Sequence, residues 1–196
     1  SSSRRLPLYG KNCDINLCAS HGLLSEADFH RLKEAGVTRY HANIETSRRN
    51  FPNICTTHTF DDKLEVIGGP GQQASTLFSG IIGMGETWED RVDMAFTLSG
   101  LNDFVHPLNV LRPIPGTPFE NLPLLSEEDI LRTVAVFRYL NPEAQIRLAA
   151  AEFYGGQRPE RLSLRRNAAI TGDMLTTSGN GIDADQKMLA EMGFSL

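Results

Sequence analysis

Six short runs with strand-like patterning alternate with segments of helical spacing, and this order constrains the fold more than any other feature of the chain. Strands are expected over Asp14–Ser20, Val37–Glu45, Thr76–Ile82, Val105–Leu111, Gln145–Ala150 and Asn167–Gly172. Between them, Ser25 is placed to cap a helix that Gly36 closes, and a helix is expected over Phe60–Ile67. Thr87 begins another, with Asp90 in a capping-box position and Val92, Ala95 and Phe96 as its expected buried stripe. Ser126 begins the most regular one, where Ile130, Val134 and Phe137 repeat at helical spacing until Asn141-Pro142 ends it. A terminal helix is expected over Asp183–Met192. Strands that alternate with helices in this way form a parallel sheet with helical crossovers, either a barrel or an open doubly wound sheet. No Gly-x-Gly-x-x-Gly follows the first strand, so the dinucleotide-binding fingerprint is absent.

One face of the second strand is polar. Val37, Arg39, His41, Asn43 and Glu45 fall on one side by period two, and Thr38, Tyr40, Ala42 and Ile44 on the other. Hydrogen-bonding side chains in series are costly to bury without partners, so this face must meet water, a ligand or a partner. The pattern recurs: Asn109 lies opposite Leu108 and Val110, Arg147 opposite Ile146 and Leu148, and Cys18 opposite Leu17 and Ala19. In a (β/α)8 barrel one strand face meets the helices and the other points inward, with the active site at the C-terminal strand ends. Taken one at a time these residues have plainer explanations: Asn109 could bond a neighbouring strand end, and Arg147 could bridge to Glu45. As a set they point to a ligand site. Elsewhere, His41 and His58 read as loop or core histidines and Cys55 as a bystander thiol in a turn after Pro52. Glu86 reads as a loop-to-helix junction or a contact for a cationic ligand, and Arg48 and Arg49 as a solvated face.

Composition excludes several classes. The 196 residues suffice for one domain with a core or a large piece of a bigger one, and the net charge of −5 gives no reason to expect a nucleic-acid or anionic-membrane surface. No apolar run approaches the roughly 20 residues that cross a bilayer. Three cysteines without staple-like spacing fit a reducing cytoplasm, which is the expected location.

Six motifs occur in order: Tyr40-His-Ala-Asn-Ile-Glu-Thr-Ser, Thr56-Thr-His-Thr-Phe, Gly80-Ile-Ile-Gly-Met-Gly-Glu-Thr-Trp-Glu-Asp-Arg, Pro113-Ile-Pro-Gly-Thr-Pro, Ile146-Arg-Leu-Ala-Ala and Leu175-Thr-Thr-Ser-Gly-Asn. From about Asp14 onward the chain resembles the biotin synthase family of radical S-adenosylmethionine enzymes. The resemblance implies an incomplete (β/α)8 TIM-type barrel, with about six βα units present and residues 1–196 forming its C-terminal part. It implies S-adenosylmethionine, a [4Fe–4S] cluster that cleaves it and a [2Fe–2S] cluster that donates sulfur. It further implies dethiobiotin as substrate, a flavodoxin- or ferredoxin-type electron donor and a homodimer. Residue by residue, Asn43 and Asn109 match the substrate's ureido contacts. Glu45 matches the contact to the adenosyl ribose, and Ile81 the residue packed on adenine. Cys18 and Arg147 match ligands of the [2Fe–2S] cluster.

The chain also departs from the family pattern. The Cys-x3-Cys-x2-Cys loop for the [4Fe–4S] cluster is absent, and a second [2Fe–2S] cysteine would lie in the same unmatched N-terminal part. Before Ile81 the family has Cys-Ser-Gly-Gly and this chain Leu77-Phe-Ser-Gly, so Leu77 or Phe78 stands at a cysteine position. Ala149-Ala-Ala-Glu replaces Ala-Gly-Arg, and residues 68–78 and 151–166 match poorly. The chain is therefore expected to be a fragment, inactive alone. The alternatives are another radical enzyme of this barrel type with a different substrate, and a non-catalytic remnant that binds a small molecule or partner.

Overall fold

The computed structural model describes residues 16–68, 75–101, 105–149, 168–169 and 182–191. Six strands form one sheet: β1 (Leu17–Ala19), β2 (Val37–Glu45), β3 (Ser75–Ile82), β4 (Val105–Val110), β5 (Gln145–Ala149) and β6 (Ala168–Ala169). Every neighbouring pair is parallel and the spatial order equals the sequence order. A doubly wound sheet reverses its strand order at a switch point, whereas this order is that of a (β/α) barrel. The sheet also curls. Arg147 of β5 lies within electrostatic reach of Cys18 on β1. Four flat strand spacings would separate them by about 19 Å, beyond a Debye length of about 8–10 Å.

The helices are α1 (Glu26–Glu34), α2 (Phe51–Ile54), α3 (Phe60–Gly68), α4 (Trp88–Ser99), α5 (Glu127–Leu140) and α6 (Ile182–Glu191). Ser25, Thr87 and Ser126 cap α1, α4 and α5 through their side chains, as their sequence positions imply. The core lies between helices and one sheet face. Ile44, Phe78, Ile82, Leu108, Val110 and Ile146 come from the strands, and Phe51, Phe60, Met94, Leu98, Ile130, Val134 and Phe137 from the helices. Gly80 permits close approach there, since a Cβ on it would come within 2.4 Å of Met94 Sδ.

Three expectations need correction. Val37 does not share the polar face: it is buried with Ala19, Phe29 and Tyr40. The pairing runs Leu17 to Val37 and then Cys18 to Arg39, so Thr38 is an extra residue that breaks the period of two. Its hydroxyl donates to the Leu17 carbonyl at 3.3 Å. On α4 the expected stripe is rotated by about one residue. Val92 and Phe96 are 44% and 67% exposed, and Arg91, Met94, Ala95 and Leu98 are buried instead. Arg91 turns inward to meet Glu86, which places its i+3, i+4 and i+7 partners on the sheet. Finally, α2 went unforeseen: Asn50 and Pro52 start one short turn that seats Phe51 against Phe60 at 5.6 Å. The strand expected from Asp14 is limited to Leu17–Ala19 among the described residues, and the irregular stretch Ala151–Arg166 lies outside them.

Candidate functional site

The face of the sheet away from the helices carries the polar residues. The register pairs Asn43 with Ser79, Ile81 with Asn109, and Pro107 with Arg147. Leu77 pairs with His41, so it stands on this inner face, whereas Phe78 packs in the outer core. Of the two residues expected at the family's cysteine position, Leu77 thus faces inward and Phe78 outward.

Ser79 is the junction of the site. Its side chain is fully buried. Its hydroxyl donates to Asn43 Oδ1. It accepts from Asn109 Nδ2 at 3.3 Å and lies 3.2 Å from His41 Nε2. Asn109 Nδ2 also donates to the Gly80 carbonyl at 3.4 Å. Because the single hydroxyl proton goes to Asn43, His41 must donate through Nε2. Burial lowers the His41 pKa and the Arg147 charge lowers it further, against an opposing pull from Glu45, so the ring is neutral at pH 7. The expected pair Asn43 and Asn109 is therefore brought together through Ser79, a residue given no role from sequence. The period of β3, read in register with β2, was the signal that could have found Ser79.

Glu45 ends β2 with φ +66°, the sole positive-φ non-glycine among the described residues. The β2–β3 register slips between Asn43 and Glu45. This conformation costs an acidic residue roughly 1–3 kcal/mol and belongs to sites where geometry matters more than strain. Its carboxylate accepts from Lys63 Nζ at 3.1 Å, so the bridge to Arg147 considered from sequence does not form.

Arg147 is half-buried and its Nε has no partner. Burial lowers its pKa, the Cys18 thiol raises it and Arg39 lowers it. Burial raises the Cys18 pKa, with Arg39 and Arg147 pulling it back. The unpartnered Arg147 Nε and the exposed Cys18 thiol, which feel each other's charge, are donor types that such a cluster takes, but a [2Fe–2S] cluster needs four donors. Leu77 supplies none, and no group of three or more His, Cys, Asp or Glu side chains converges among the described residues. The described residues do not complete the ligand set of either cluster that the resemblance implies.

Other polar residues are structural. Glu86 accepts from the Gly83 and Met84 amides and from Arg91 Nε at 2.8 Å, so the cation that it meets is internal. Arg49 and Arg48 do not merely face solvent: Arg49 pairs with buried Asp90 at 2.9 Å, and Arg48 binds Asp61 and covers the Phe60 ring. Cys55 closes α2 and contacts Thr57 and His58 at 3.5 and 3.4 Å, beside a cavity of about 570 Å³. The Thr57 hydrogen bond lowers its pKa.

Fold and site define a parallel α/β barrel, incomplete in the described residues, whose inner face holds a hydrogen-bonded polar cluster near the C-terminal strand ends. Its shape matches methylornithine synthase with a TM-score of 0.75, covering 99% of this chain and 62% of that one at 16% identity. It matches the FeFe-hydrogenase maturase of Carboxydothermus hydrogenoformans at 0.75, covering 96% and 50% at 15% identity. In sequence, residues 107–195 match the Biotin and Thiamin Synthesis associated domain. The chain is 58% identical to the biotin synthase of Clostridium beijerinckii over 193 residues, 96% of this chain and 60% of that protein. It is 56% identical to that of Alkaliphilus metalliredigens over 188 residues, 95% and 59%. The chain is similar in sequence to biotin synthases over most of its own length, and it spans about three-fifths of the length of the relatives that it matches.

Proposed function

We propose that this chain is the barrel portion of a biotin synthase, which inserts sulfur into dethiobiotin with S-adenosylmethionine as the radical source. The observation that carries the reading is the link from Asn43 through Ser79 to Asn109 on the inner face. Two amides held side by side offer both donor and acceptor, the complement of a cyclic urea. Glu45, at the end of the same strand, supplies acceptors for the ribose hydroxyls of the adenosyl group, and Ile81 packs on its base. Arg147 and Cys18 would be two donors toward a [2Fe–2S] cluster, whose ligand set the described residues do not complete. The expected dimer, cytoplasmic location and electron donor belong to the same reading of the whole enzyme. No described helix is long and apolar enough to cross a membrane.

The test is calorimetric titration of the chain with dethiobiotin. Binding that falls at least tenfold in both Asn43→Ala and Asn109→Ala supports the reading; unchanged affinity in both overturns it. Leu77 on the inner face favours a second reading, a remnant that binds the ligand without catalysing. Under that reading the titration succeeds, and a chain completed with the N-terminal portion of a relative still makes no biotin.

A further inference from the structure

We propose that Ser79 is a positioning residue that gives the two amides opposite hydrogen-bonding polarity, so that the barrel interior presents a donor at Asn43 and an acceptor at Asn109. The inference rests on the reading of these amides as ligand contacts and adds the direction in which they read.

The Gly80 oxygen lies 3.4 Å from Asn109 Nδ2, and Ser79 Oγ lies 3.3 Å from the same nitrogen. Rotating this amide by 180° would set its oxygen against the Gly80 carbonyl, which can only accept, so Asn109 keeps its NH2 toward β3 and turns Oδ1 away. Ser79 Oγ then has one lone pair filled by Asn109 and the other by His41 Nε2–H at 3.2 Å. A hydroxyl has one proton to give. It goes to Asn43 Oδ1, which faces Ser79. Asn43 must then turn its NH2 away from Ser79. Among the described residues nothing bonds Asn43 Nδ2 or Asn109 Oδ1, and both side chains are partly accessible.

Two identical functional groups are thus made different by one hydroxyl. The ligand that fits carries a carbonyl for Asn43 and an adjacent N–H for Asn109, as a cyclic urea does. A ligand with carbonyl alone satisfies half of the site. Alanine at 79 keeps the Cβ and removes the proton that orients Asn43, so its amide can turn either way.

The test compares dethiobiotin with its 2-thioxo analogue, which keeps both N–H groups and replaces the carbonyl by a weak acceptor, on the full chain and on Ser79→Ala. The parent is expected to prefer dethiobiotin by about tenfold, the value of one well-made hydrogen bond. Ser79→Ala is expected to lose most of that preference, because Asn43 no longer commits its NH2 to the carbonyl, while its affinity for the thioxo analogue changes by less than about twofold. A preference retained in Ser79→Ala overturns the inference and leaves the ligand reading intact. Equal loss for both ligands marks Ser79 as merely structural and also overturns it. Failure of the parent to bind either ligand overturns both. A second measurement uses only the unmodified chain with labelled asparagine: dethiobiotin should shift the side-chain NH2 resonances of Asn43 and leave those of Asn109 in place. The reverse pattern overturns the inference.

Discussion

Glu86 and Arg91 form an ion pair at 2.8 Å, with 1% and 7% of their side chains exposed. The pair is more than a contact. Glu86 gathers the amides of the β3–α4 loop, and Arg91 stacks 4.8 Å over Trp88 and reaches Thr133 on α5. A pair this buried offsets its own desolvation only while both partners remain. Arg91→Ala should therefore destabilise the fold by about 3–5 kcal/mol, and Glu86→Ala/Arg91→Ala should cost clearly less than the sum of the single changes. Denaturant unfolding of the four proteins in this cycle checks both; additive changes would remove the coupling.

The rotation of α4 makes a second prediction. Leu98→Ala should cost about 2–5 kcal/mol, as for other buried leucines. Phe96→Ser, although it removes a larger apolar side chain, should fall within about 0.5 kcal/mol of the parent because that ring is exposed. Thermal unfolding would reverse this ranking if the stripe were Val92, Ala95 and Phe96.

Asp90 predicts a pH dependence. Burial opposes its ionisation, but hydrogen bonds from Arg49, Ser47 and Thr87 outweigh this and hold the carboxyl well below the usual carboxylate range. Because the folded pKa lies below the unfolded one, the stabilisation is complete above the unfolded value of roughly 4. It declines as pH falls below that value toward the folded pKa. Asp90→Asn should thus be less stable than the parent at pH 7 and show a shallower loss between about pH 4 and pH 2. Urea midpoints measured across that range test the sign: parallel curves would disprove it.

Cluster assembly makes a fourth. Anaerobic reconstitution of this chain with iron and sulfide should yield no stable [4Fe–4S] absorption, because its cysteines Cys13, Cys18 and Cys55 lack the spacing that such a cluster needs. A stoichiometric cluster able to cleave S-adenosylmethionine would contradict this.

Much of the fold was legible because its signals are local. Ser25, Thr87 and Ser126 cap helices wherever they lead an apolar repeat, and Ile130, Val134 and Phe137 show their face by spacing alone. Barrel or open sheet could not be decided from alternation, since both have it; strand order decided, and that is a long-range property. The errors share a cause. Thr38 and Glu45 each break the period of two, and a bulge leaves no mark in a hydrophobic pattern. Arg91 overrode the apolar count on α4 because its partner lies five residues earlier, outside the helix. In the site, Asn43 and Asn109 stood out as polar residues on apolar strands. Ser79 did not, since a serine is unremarkable until the register sets it between them.

Glu45 has one further consequence. At φ +66° a glycine would sit with less strain, so Glu45→Gly is a natural choice for anyone seeking a sturdier barrel. That change would relieve the backbone and delete the carboxylate at the end of β2 together with its bond to Lys63. A screen for heat resistance would therefore weigh the strain relieved against a mostly buried lysine left without its partner, and under the proposed role a screen for ligand affinity would keep the carboxylate.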